Sequence, residues 1–227
     1  MATGLNERYR GKDGDAYLAM RQSSLSDHVQ GLRASLFQDL GSNDRTVLDF
    51  GCGSGGLLSR VQAKQRIGIE VGEAAAELAR QAGIQVLTDL AQVPDKSVDV
   101  VISFHAIEHV ERPIDVLREI GRVTKDDGLI RLIVPGEMAT HPEQSRWRPN
   151  RDRHLHAWTP LVFGNLAEQC GYRNIETCVQ PMPTKSRLVR TLSIVPPLAR
   201  AAHWRLAMQR NALNVILNAN PPAREGS

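Results

Sequence analysis

The amino-acid sequence predicts an α/β fold, in which an open and mostly parallel sheet carries helices on both faces. Short apolar runs of the kind that form strands covered on both faces alternate five times with helical patterns. Of the 227 residues, 41% are hydrophobic and 23% are charged, which allows one full core without division of the chain. No internal repeat and no low-complexity segment interrupts this alternation in the sequence.

Seven strands are predicted from runs of apolar or β-branched residues that turn or helix signals bound. In chain order, they cover residues 46–50, 66–70, 84–87, 98–104, 129–135, 172–179 and 212–219. The last of them is expected to close the sheet.

Helices are predicted where apolar residues recur at spacings of three and four. After the first strand, they cover residues 57–63, 72–83, 113–124 and 160–170. Residues 1–44 are polar and read mainly as helix, with apolar positions at Leu25, Val29, Leu32, Leu36 and Leu40. We therefore divide the chain into an N-terminal helical cap (1–44), a core (45–180) and a C-terminal helical segment with the closing strand (181–227).

The C-terminal quarter of the chain is strongly basic. Residues 177–227 contain seven Lys or Arg and one Asp or Glu, against 21 and 24 in residues 1–176. Pro196 and Pro197 split this run, so we expect two short helices there. Basic charge beside apolar residues indicates an anionic acceptor or a peripheral contact with an anionic membrane, and a solvated basic face is the alternative.

The three cysteines, Cys52, Cys170 and Cys178, have no spacing typical of a disulfide framework or a zinc site. This indicates a reducing compartment. The first twenty residues lack the apolar core of a signal peptide, and no stretch approaches the length of a membrane span. We expect a cytoplasmic protein.

The stretch V-L-D-F-G-C-G-S-G-G (47–56) places a carboxylate and four glycines at the end of a buried strand. Gly51, Gly53 and Gly56 match the pattern G-x-G-x-x-G, and Glu70 ends the next strand. Glycines let the backbone approach a ligand, and the acid can accept hydrogen bonds from ribose hydroxyls. The pattern predicts a nucleoside site, for either NAD or S-adenosylmethionine.

Asp49, inside this stretch, distinguishes the two ligands. A carboxylate would repel the pyrophosphate of NAD, whereas S-adenosylmethionine carries a cationic ammonium and a cationic sulfonium. No Tyr-x-x-x-Lys pair of a dehydrogenase is present in the sequence. We predict S-adenosylmethionine; the alternative is that Asp49 only caps the following helix.

Together, these motifs resemble the class I S-adenosylmethionine-dependent methyltransferases. The resemblance covers roughly residues 45–175 and continues through G-I-E (68–70), D-L-A-Q-V-P-D-K-S-V-D-V-V-I-S (89–103), H-A-I-E-H-V (105–110) and V-P-G-E (134–137). It implies a Rossmann-like class I methyltransferase fold with a mostly parallel seven-stranded sheet, and S-adenosyl-L-methionine as the cofactor. The sequence after Glu137 departs from the pattern, so the resemblance does not imply a substrate.

The resemblance also assigns the cofactor site. The loop glycines line the cofactor, Glu70 holds the ribose, Asp89 contacts the adenine amino group, and Leu90 borders the adenine ring. The complete predicted cofactor set is Asp49, Gly51, Cys52, Gly53, Glu70, Val71, Asp89, Leu90 and Phe104.

His105 and His109 are the predicted catalytic residues. His105 directly follows strand 98–104, so a neutral imidazole there could remove a proton from an attacking hydroxyl. The alternative is that His105 only packs against the cofactor. H-A-I-E-H (105–109) also matches the zinc-peptidase pattern H-x-x-E-H, but the position of His105 after a strand leads us to predict no metal.

The segment S-R-W-R-P-N-R-D-R-H-L-H-A-W-T-P (145–160) interleaves arginines, histidines and tryptophans. Because it follows the fifth strand, we expect it at the edge of the active site, where it would suit a sugar, nucleotide or phosphate. It resembles a segment of bacterial methyltransferases from saccharide-modifying pathways; the alternative is a surface loop whose tryptophans fill the core. The predicted substrate-binding residues are Glu137, Arg153, His154, His156 and Trp158.

The sequence therefore predicts an S-adenosylmethionine-dependent methyltransferase that acts on a small-molecule or glycan acceptor, at oxygen. Two alternatives stay open. One is an RNA-modifying methyltransferase, which is less favoured because the basic residues form no recognised RNA-binding module. The other is a partner protein that binds S-adenosylmethionine without turnover.

Overall fold

A computed structural model describes residues 9–20, 26–136, 147, 154–182, 196–209 and 212–223. The strands in this part of the chain are β1 (Ser42–Phe50), β2 (Ala63–Ile69), β3 (Gln85–Leu87), β4 (Val98–Phe104), β5 (Thr124–Pro135), β6 (Arg173–Pro181) and β7 (Leu213–Asn220). The α-helices are α1 (Gly11–Met20), α2 (Asp27–Ala34), α3 (Glu73–Gln81), α4 (Pro113–Val123), α5 (Pro160–Gln169) and α6 (Pro196–Gln209).

The strands form one sheet in the order β3-β2-β1-β4-β5-β7-β6. The first five strands in that order are parallel, and β7 is antiparallel to both of its neighbours. Parallel neighbours need crossover connections, which α3 and α4 supply between β2 and β3 and between β4 and β5. The predicted α/β fold with a mostly parallel seven-stranded sheet is confirmed.

Both faces of the sheet are covered, because alternate strand residues enter different clusters of buried side chains. Leu48 and Val101 pack with residues of α4 and α5 on one face. Val47 and Val100 pack with residues of α2 and α3 on the other face. Burial on both faces explains why these strands read as near-continuous apolar runs.

β1 lies where the strand order reverses, with β2 and β3 on one side of it and β4 and β5 on the other. Open α/β sheets bind ligands at such a point, outside the carboxyl ends of the strands. Asp49 in β1 is in register with Gly68 in β2 and Ile102 in β4. The residues that follow these three strands therefore surround one crevice.

The predicted helix over residues 57–63 is wrong. The structure has a 3-10 turn at Leu58–Arg60, and β2 already begins at Ala63. The stretch between the glycine loop and β2 is shorter than two helical turns, which is too short to offset the cost of helix nucleation. The guanidinium of Arg66 donates to the carbonyl of Val61 at 2.9 Å and holds this short connection against β2.

The two ends of the chain are only partly described. The N-terminal part, predicted to be mainly helix over residues 1–44, forms α1, α2 and a 3-10 turn at Gln38–Leu40 before β1 begins at Ser42, and Leu25 lies outside the described residues. α6 begins at Pro196, a residue type that favours the first helical turn. The first of the two predicted short helices falls on residues 183–195, also outside the described residues. None of the described helices combines the length and the apolar character that a bilayer span requires.

Candidate active site

A cavity of about 240 Å³ lies at the carboxyl ends of β1, β2 and β4. The glycine loop, Glu70 and His105 form one side of it, and residues of the N-terminal region, including Tyr17 and Arg33, form the other. The cavity is thus in the crevice where the reversal of strand order predicts a ligand.

Three glycines of the loop, Gly51, Gly53 and Gly55, have positive φ angles, which favour glycine, and the first two line the cavity. Gly51 has φ +78°, and a Cβ there would lie 2.5 Å from the Cβ of Ala106. Gly53 has φ +54° and lines the cavity, and a Cβ there would meet no described atom within 4 Å. The missing side chain of Gly53 therefore leaves the backbone open to a ligand.

Glu70 connects the glycine loop to the end of β2. Its Oε2 accepts a hydrogen bond from the N–H of Gly53 at 2.9 Å, and its Oε1 accepts from the N–H groups of Val71 and Gly72 at 2.8 and 2.7 Å. Burial raises the pKa of Glu70, and these three N–H groups oppose the rise. Because each carboxylate oxygen can accept more than one hydrogen bond, Glu70 can still bind ligand hydroxyls.

Asp49 is a buried carboxyl group in the cavity wall. The residue is 2% exposed, and its Oδ1 has no hydrogen-bond partner among the described residues. Burial, and to a smaller degree the nearby Glu70, raises the pKa of Asp49 from its ordinary 3.8 to about 7. The 3-10 turn after the loop begins beyond Leu57, so Asp49 does not cap it. A cationic ligand group in the cavity would compensate this carboxylate.

Of the other residues in the predicted cofactor set, some line the cavity and some do not. Cys52, Val71 and Phe104 are in the cavity wall, whereas Asp89 and Leu90 are not part of it. The carboxylate of Asp89 accepts a backbone N–H at 2.9 Å as the cap of a 3-10 turn. Leu90 is fully buried in the core. The adenine contacts that the resemblance implies for these two residues stay predictions.

His105 follows β4 with a left-handed backbone, φ +53°, which is rare for any residue except glycine. Its N–H donates to the carbonyl of Ile133 at 2.8 Å, and its ring stacks on Phe104 with centroids 4.1 Å apart. Its Nε2 lies 3.0 Å from Oδ1 of Asn214, whose Nδ2 donates to Sδ of Met182. Because Oδ1 can only accept, the neutral imidazole carries its proton on Nε2.

His109, the second predicted catalytic residue, lines the cavity and belongs to a separate polar group. Its Nδ1 lies 2.9 Å from the hydroxyl of Tyr9. Its Nε2 lies 3.7 Å from Oε1 of Glu108, and Nε2 of His154 lies 3.9 Å from the same oxygen. The structure thus joins His109 to residues from an early and a late part of the chain.

The predicted substrate-binding residues are only partly described. Glu137 and Arg153 lie outside the described residues. His154 belongs to the group around His109, and Nε2 of His156 donates to a backbone carbonyl at 2.9 Å. Trp158 is buried in the core, as the alternative for this segment expects, whereas Trp147, the other tryptophan of the segment, is 88% exposed and contradicts it. None of the three described residues of the predicted set lines the cavity, so their substrate contacts stay predictions.

Several residues in the cavity wall were not predicted from the sequence. Tyr9, Tyr17, Gln30 and Arg33 come from the N-terminal region, and Cζ of Arg33 lies 5.2 Å from the ring centroid of Phe104. The sequence carried one signal for them, since Gln30 and Arg33 are polar residues inside an apolar helical pattern. That pattern does not indicate which strand end such residues face.

A sequence model of a protein family described as a methyltransferase domain matches residues 17–177. A probable S-adenosylmethionine-dependent methyltransferase of Mycobacterium tuberculosis is 34% identical over 142 residues, which cover 59% of this chain and 51% of that protein. A ubiquinone biosynthesis O-methyltransferase of Aliivibrio fischeri is 32% identical over 97 residues, or 37% of this chain and 41% of that protein. The chain spans about half the length of the curated relatives that it matches.

A solved structure supports the fold over nearly the whole chain. A complex of the Haloferax volcanii Trm112 methyltransferase activator and a putative methyltransferase contains a chain that superimposes with a TM-score of 0.68 at 17% identity. The match covers 92% of this chain and 97% of that one. At this identity, the likeness establishes the architecture.

Proposed function

Since the chain belongs to the class I S-adenosylmethionine-dependent methyltransferase family, we propose that it transfers a methyl group from S-adenosylmethionine to an oxygen atom of a small-molecule or saccharide acceptor. The observation that supports this proposal most directly is the burial of the Asp49 carboxyl group. Its carboxyl group is buried beside the glycine loop, and its pKa is raised to about 7. A ligand with cationic groups would stabilise the ionised form.

A dinucleotide fits this site poorly. Asp49 would lie beside its pyrophosphate and repel it. In addition, a short 3-10 turn at Leu58–Arg60 replaces the helix whose N-terminus usually binds the pyrophosphate. We expect binding of S-adenosylmethionine and S-adenosylhomocysteine, and negligible binding of NAD.

Four residues would hold the cofactor in the cavity. Asp49 would bind the cationic amino-acid end, and Glu70 would accept hydrogen bonds from the ribose. The backbone at Gly51 and Gly53 would lie against the ligand. When bound, S-adenosylmethionine supplies an electrophilic methyl group: its C–S bond breaks as the acceptor O–C bond forms, sulfur keeps the electron pair, and the acceptor hydroxyl loses its proton.

His105 would take that proton. Because Nε2 donates to Asn214, the lone pair of the neutral imidazole is on Nδ1, which can act as the base. The hydrogen bond to Ile133, the stacking on Phe104 and the left-handed backbone fix the ring at the cavity wall. Such fixation favours catalysis, because methyl transfer depends on alignment of the reacting atoms.

An acceptor screen tests this function. Purified protein is incubated with methyl-labelled S-adenosylmethionine and nucleotide sugars, lipid-linked glycans, quinone precursors or RNA. The relative named as a ubiquinone biosynthesis O-methyltransferase supports the inclusion of quinone precursors and the choice of oxygen. Label on a small-molecule or saccharide oxygen supports the proposal; label on RNA alone contradicts it. Binding of S-adenosylhomocysteine without turnover of any acceptor favours a non-catalytic partner protein.

The outer face of α6 supports an acceptor at a membrane surface. Leu198, Trp204 and Met208 are 54%, 39% and 48% exposed, and the exposed Arg200 and Arg205 lie among them. We call these five residues the α6 surface. Exposed apolar side chains beside arginines have the composition of a helix that binds an anionic bilayer.

A chain of contacts connects α6 to the cavity. Nε2 of His203 in α6 donates to the carbonyl of Met182 at 2.9 Å. Sδ of Met182 accepts from Asn214, which in turn bonds to His105. These bonds connect α6, though not the five side chains of the α6 surface, to the residue that carries the proposed base. We propose that the acceptor is embedded in an anionic phospholipid bilayer.

A further inference from the structure

Three side chains that commonly bind metals converge beside the cavity. Glu108 and His109 share one 3-10 turn, and His154 comes from the segment before α5. One ligand atom from each lies within 4.8 Å of the other two. Glu108 is 0% exposed and His109 is 7% exposed, so the group is shielded from bulk water.

This group is not the one that the pattern H-x-x-E-H describes. That pattern pairs His105 with His109, but His105 bonds to Asn214 instead. The sequence analysis predicted no metal, from the position of His105 after a strand. It did not identify His154 as a ligand, because this residue is 46 residues from Glu108 in the chain and reaches it only in the fold.

The distances between the Glu108 carboxylate and the two imidazoles fit ligands that share one ion better than they fit direct hydrogen bonds. The Nε2 atoms of His109 and His154 lie 3.7 and 3.9 Å from Oε1 of Glu108, beyond the usual range of a hydrogen bond. Two ligands at ordinary zinc bond lengths in a tetrahedral site are roughly 3.4 Å apart. The two nitrogen–oxygen distances are within about 0.5 Å of that separation, and all three ligand atoms lie within 4.8 Å of one another, so the imidazoles would have to move inward to bind one ion.

The surroundings hold these ligands in place. The hydroxyl of Tyr9 at 2.9 Å from Nδ1 of His109 can accept its proton, which leaves the lone pair of Nε2 directed at the group. The backbone N–H groups of Leu155 and His156 donate to the carbonyl of Glu108 at 2.9 and 3.3 Å. These bonds fix the segment that carries His154 against the turn that carries Glu108.

We infer that Glu108, His109 and His154 form a binding site for one divalent transition-metal ion of the zinc class. Two imidazoles and one carboxylate are a ligand set for zinc or iron(II) and disfavour magnesium and calcium, which prefer oxygen ligands.

The role of the ion rests on the proposed function, whereas the site itself does not. His109 lines the cavity whereas Glu108 and His154 do not, so the ion would lie at the margin of the cavity, and an acceptor oxygen would have to approach it from the side of His109. A bound ion lowers the pKa of a coordinated hydroxyl and fixes its orientation. The ion would thereby favour loss of the proton from the acceptor hydroxyl, which is the proton that His105 is proposed to accept.

Zinc titration of the full chain tests the site. The protein is stripped with a chelator, dialysed and titrated with Zn²⁺ by calorimetry; we expect one ion per chain with micromolar or tighter affinity. Glu108→Gln and His154→Ala should each weaken binding at least tenfold. His28→Ala, at an exposed histidine of α2 outside the group, should leave it unchanged. His154→Ala keeps the test decisive if the buried Glu108→Gln variant does not fold.

Two results would overturn the inference: no stoichiometric zinc in the wild type, or equal affinity in the wild type and both folded variants. The same samples are titrated with S-adenosylhomocysteine. Binding of the nucleoside without zinc overturns the metal site and leaves the proposed function intact. Zinc binding without the nucleoside supports the site and contradicts the proposed function.

Discussion

The N–H of Gly53 donates a hydrogen bond of 2.9 Å to Oε2 of Glu70, which joins the glycine loop after β1 to the acid after β2. The other oxygen of Glu70 accepts from the N–H groups of Val71 and Gly72. One carboxylate therefore fixes the loop conformation and faces the cavity, so that loop geometry and ligand binding depend on the same side chain.

Replacement of Glu70 should affect stability and ligand binding together. Glu70→Ala leaves three backbone N–H groups without their acceptor, so we expect the free energy of unfolding to fall by about 2–4 kcal/mol. Affinity for S-adenosylhomocysteine should fall more than tenfold. Glu70→Gln retains one acceptor oxygen and should show smaller losses in both quantities. Denaturant unfolding and calorimetry measure them, with the exposed Glu73→Ala as the matched control; equal affinity in Glu70→Ala and wild type would contradict the ribose role.

The raised pKa of Asp49 makes the stability of the ligand-free protein depend on pH. Because the pKa is higher in the folded chain, about 7 against 3.8, Asp49 favours folding below pH 4 and loses this contribution as the pH rises to 7. A difference of about three pH units corresponds to about 4 kcal/mol. Asp49→Asn cannot ionise, so its stability relative to wild type should increase by up to that amount between pH 4 and pH 8. If the free energy of unfolding depends on pH in the same way in the two proteins, folding does not bury the ionised form of Asp49.

His105→Ala tests the proposed base. Turnover should fall about a hundredfold or more, because general-base catalysis typically contributes that much, while the affinity for S-adenosylhomocysteine stays nearly unchanged. The measurements are steady-state kinetics with the acceptor found in the screen and calorimetric titration of the nucleoside. A parallel loss of turnover and affinity would assign His105 to packing against the cofactor.

The backbone of His105 gives a second, independent prediction. Its φ of +53° is costly for residues with a Cβ and easy for glycine. We expect His105→Gly to be more stable than His105→Ala by about 1 kcal/mol, a small reversal of the usual order, because relief of left-handed strain is worth about that amount. Denaturant unfolding of the two variants compares them; if His105→Ala is the more stable, the left-handed conformation is absent in solution.

The α6 surface should bind anionic vesicles. We expect co-sedimentation that increases with the fraction of anionic lipid and decreases with salt, because arginines interact with lipid headgroups through screened charges. Arg200→Glu/Arg205→Glu should weaken binding, and Trp204→Ala should weaken it through lost apolar contact. Arg118→Glu, at an exposed arginine of α4, is the charge control, and it is compared with the single reversals Arg200→Glu and Arg205→Glu, which change the net charge by the same amount.

Two outcomes would contradict the membrane proposal. The protein could ignore anionic vesicles at low salt, or Arg118→Glu could weaken binding as much as the single α6 reversals. If the double α6 variant loses vesicle binding but keeps its kinetics with a dissolved acceptor, the surface serves membrane attachment alone. Unchanged vesicle binding in that variant would leave α6 as a solvated basic face.

Most strands could be predicted because burial on both sheet faces leaves a direct mark on the sequence. Val98–Phe104 is apolar at nearly every position, and the structure has a strand with those bounds. The helix predicted at 57–63 failed because an apolar pattern carries no information about how soon the next strand must begin. Asp49, Gly53 and Glu70 could be placed in one site because consecutive strand ends meet at the reversal of strand order.

Contacts between distant segments could not be predicted in the same way. Asn214 reaches His105 only because β7 lies between β5 and β6, which no local pattern indicates. His154 reaches Glu108 through a turn whose backbone bonds are not encoded by residue type. Asn214, which bonds to the proposed base, and His154, which belongs to the proposed metal site, are therefore brought into place only by the tertiary structure.

The central claim is that Asp49 binds the ammonium group at the amino-acid end of the nucleoside, and calorimetric titration of S-adenosylhomocysteine, which carries that ammonium but no sulfonium, into wild type and Asp49→Asn at pH 6 and pH 8 tests it most directly. Wild type should bind about tenfold more tightly at pH 8, because binding needs ionised Asp49 and its pKa is about 7. Asp49→Asn should bind more than tenfold more weakly than wild type at pH 8, since loss of a buried charged hydrogen bond costs about 2–5 kcal/mol. Its affinity should also lose the dependence on pH, and NAD should bind neither protein. Equal affinity of the two proteins at pH 8, or tight binding of NAD, would contradict the account.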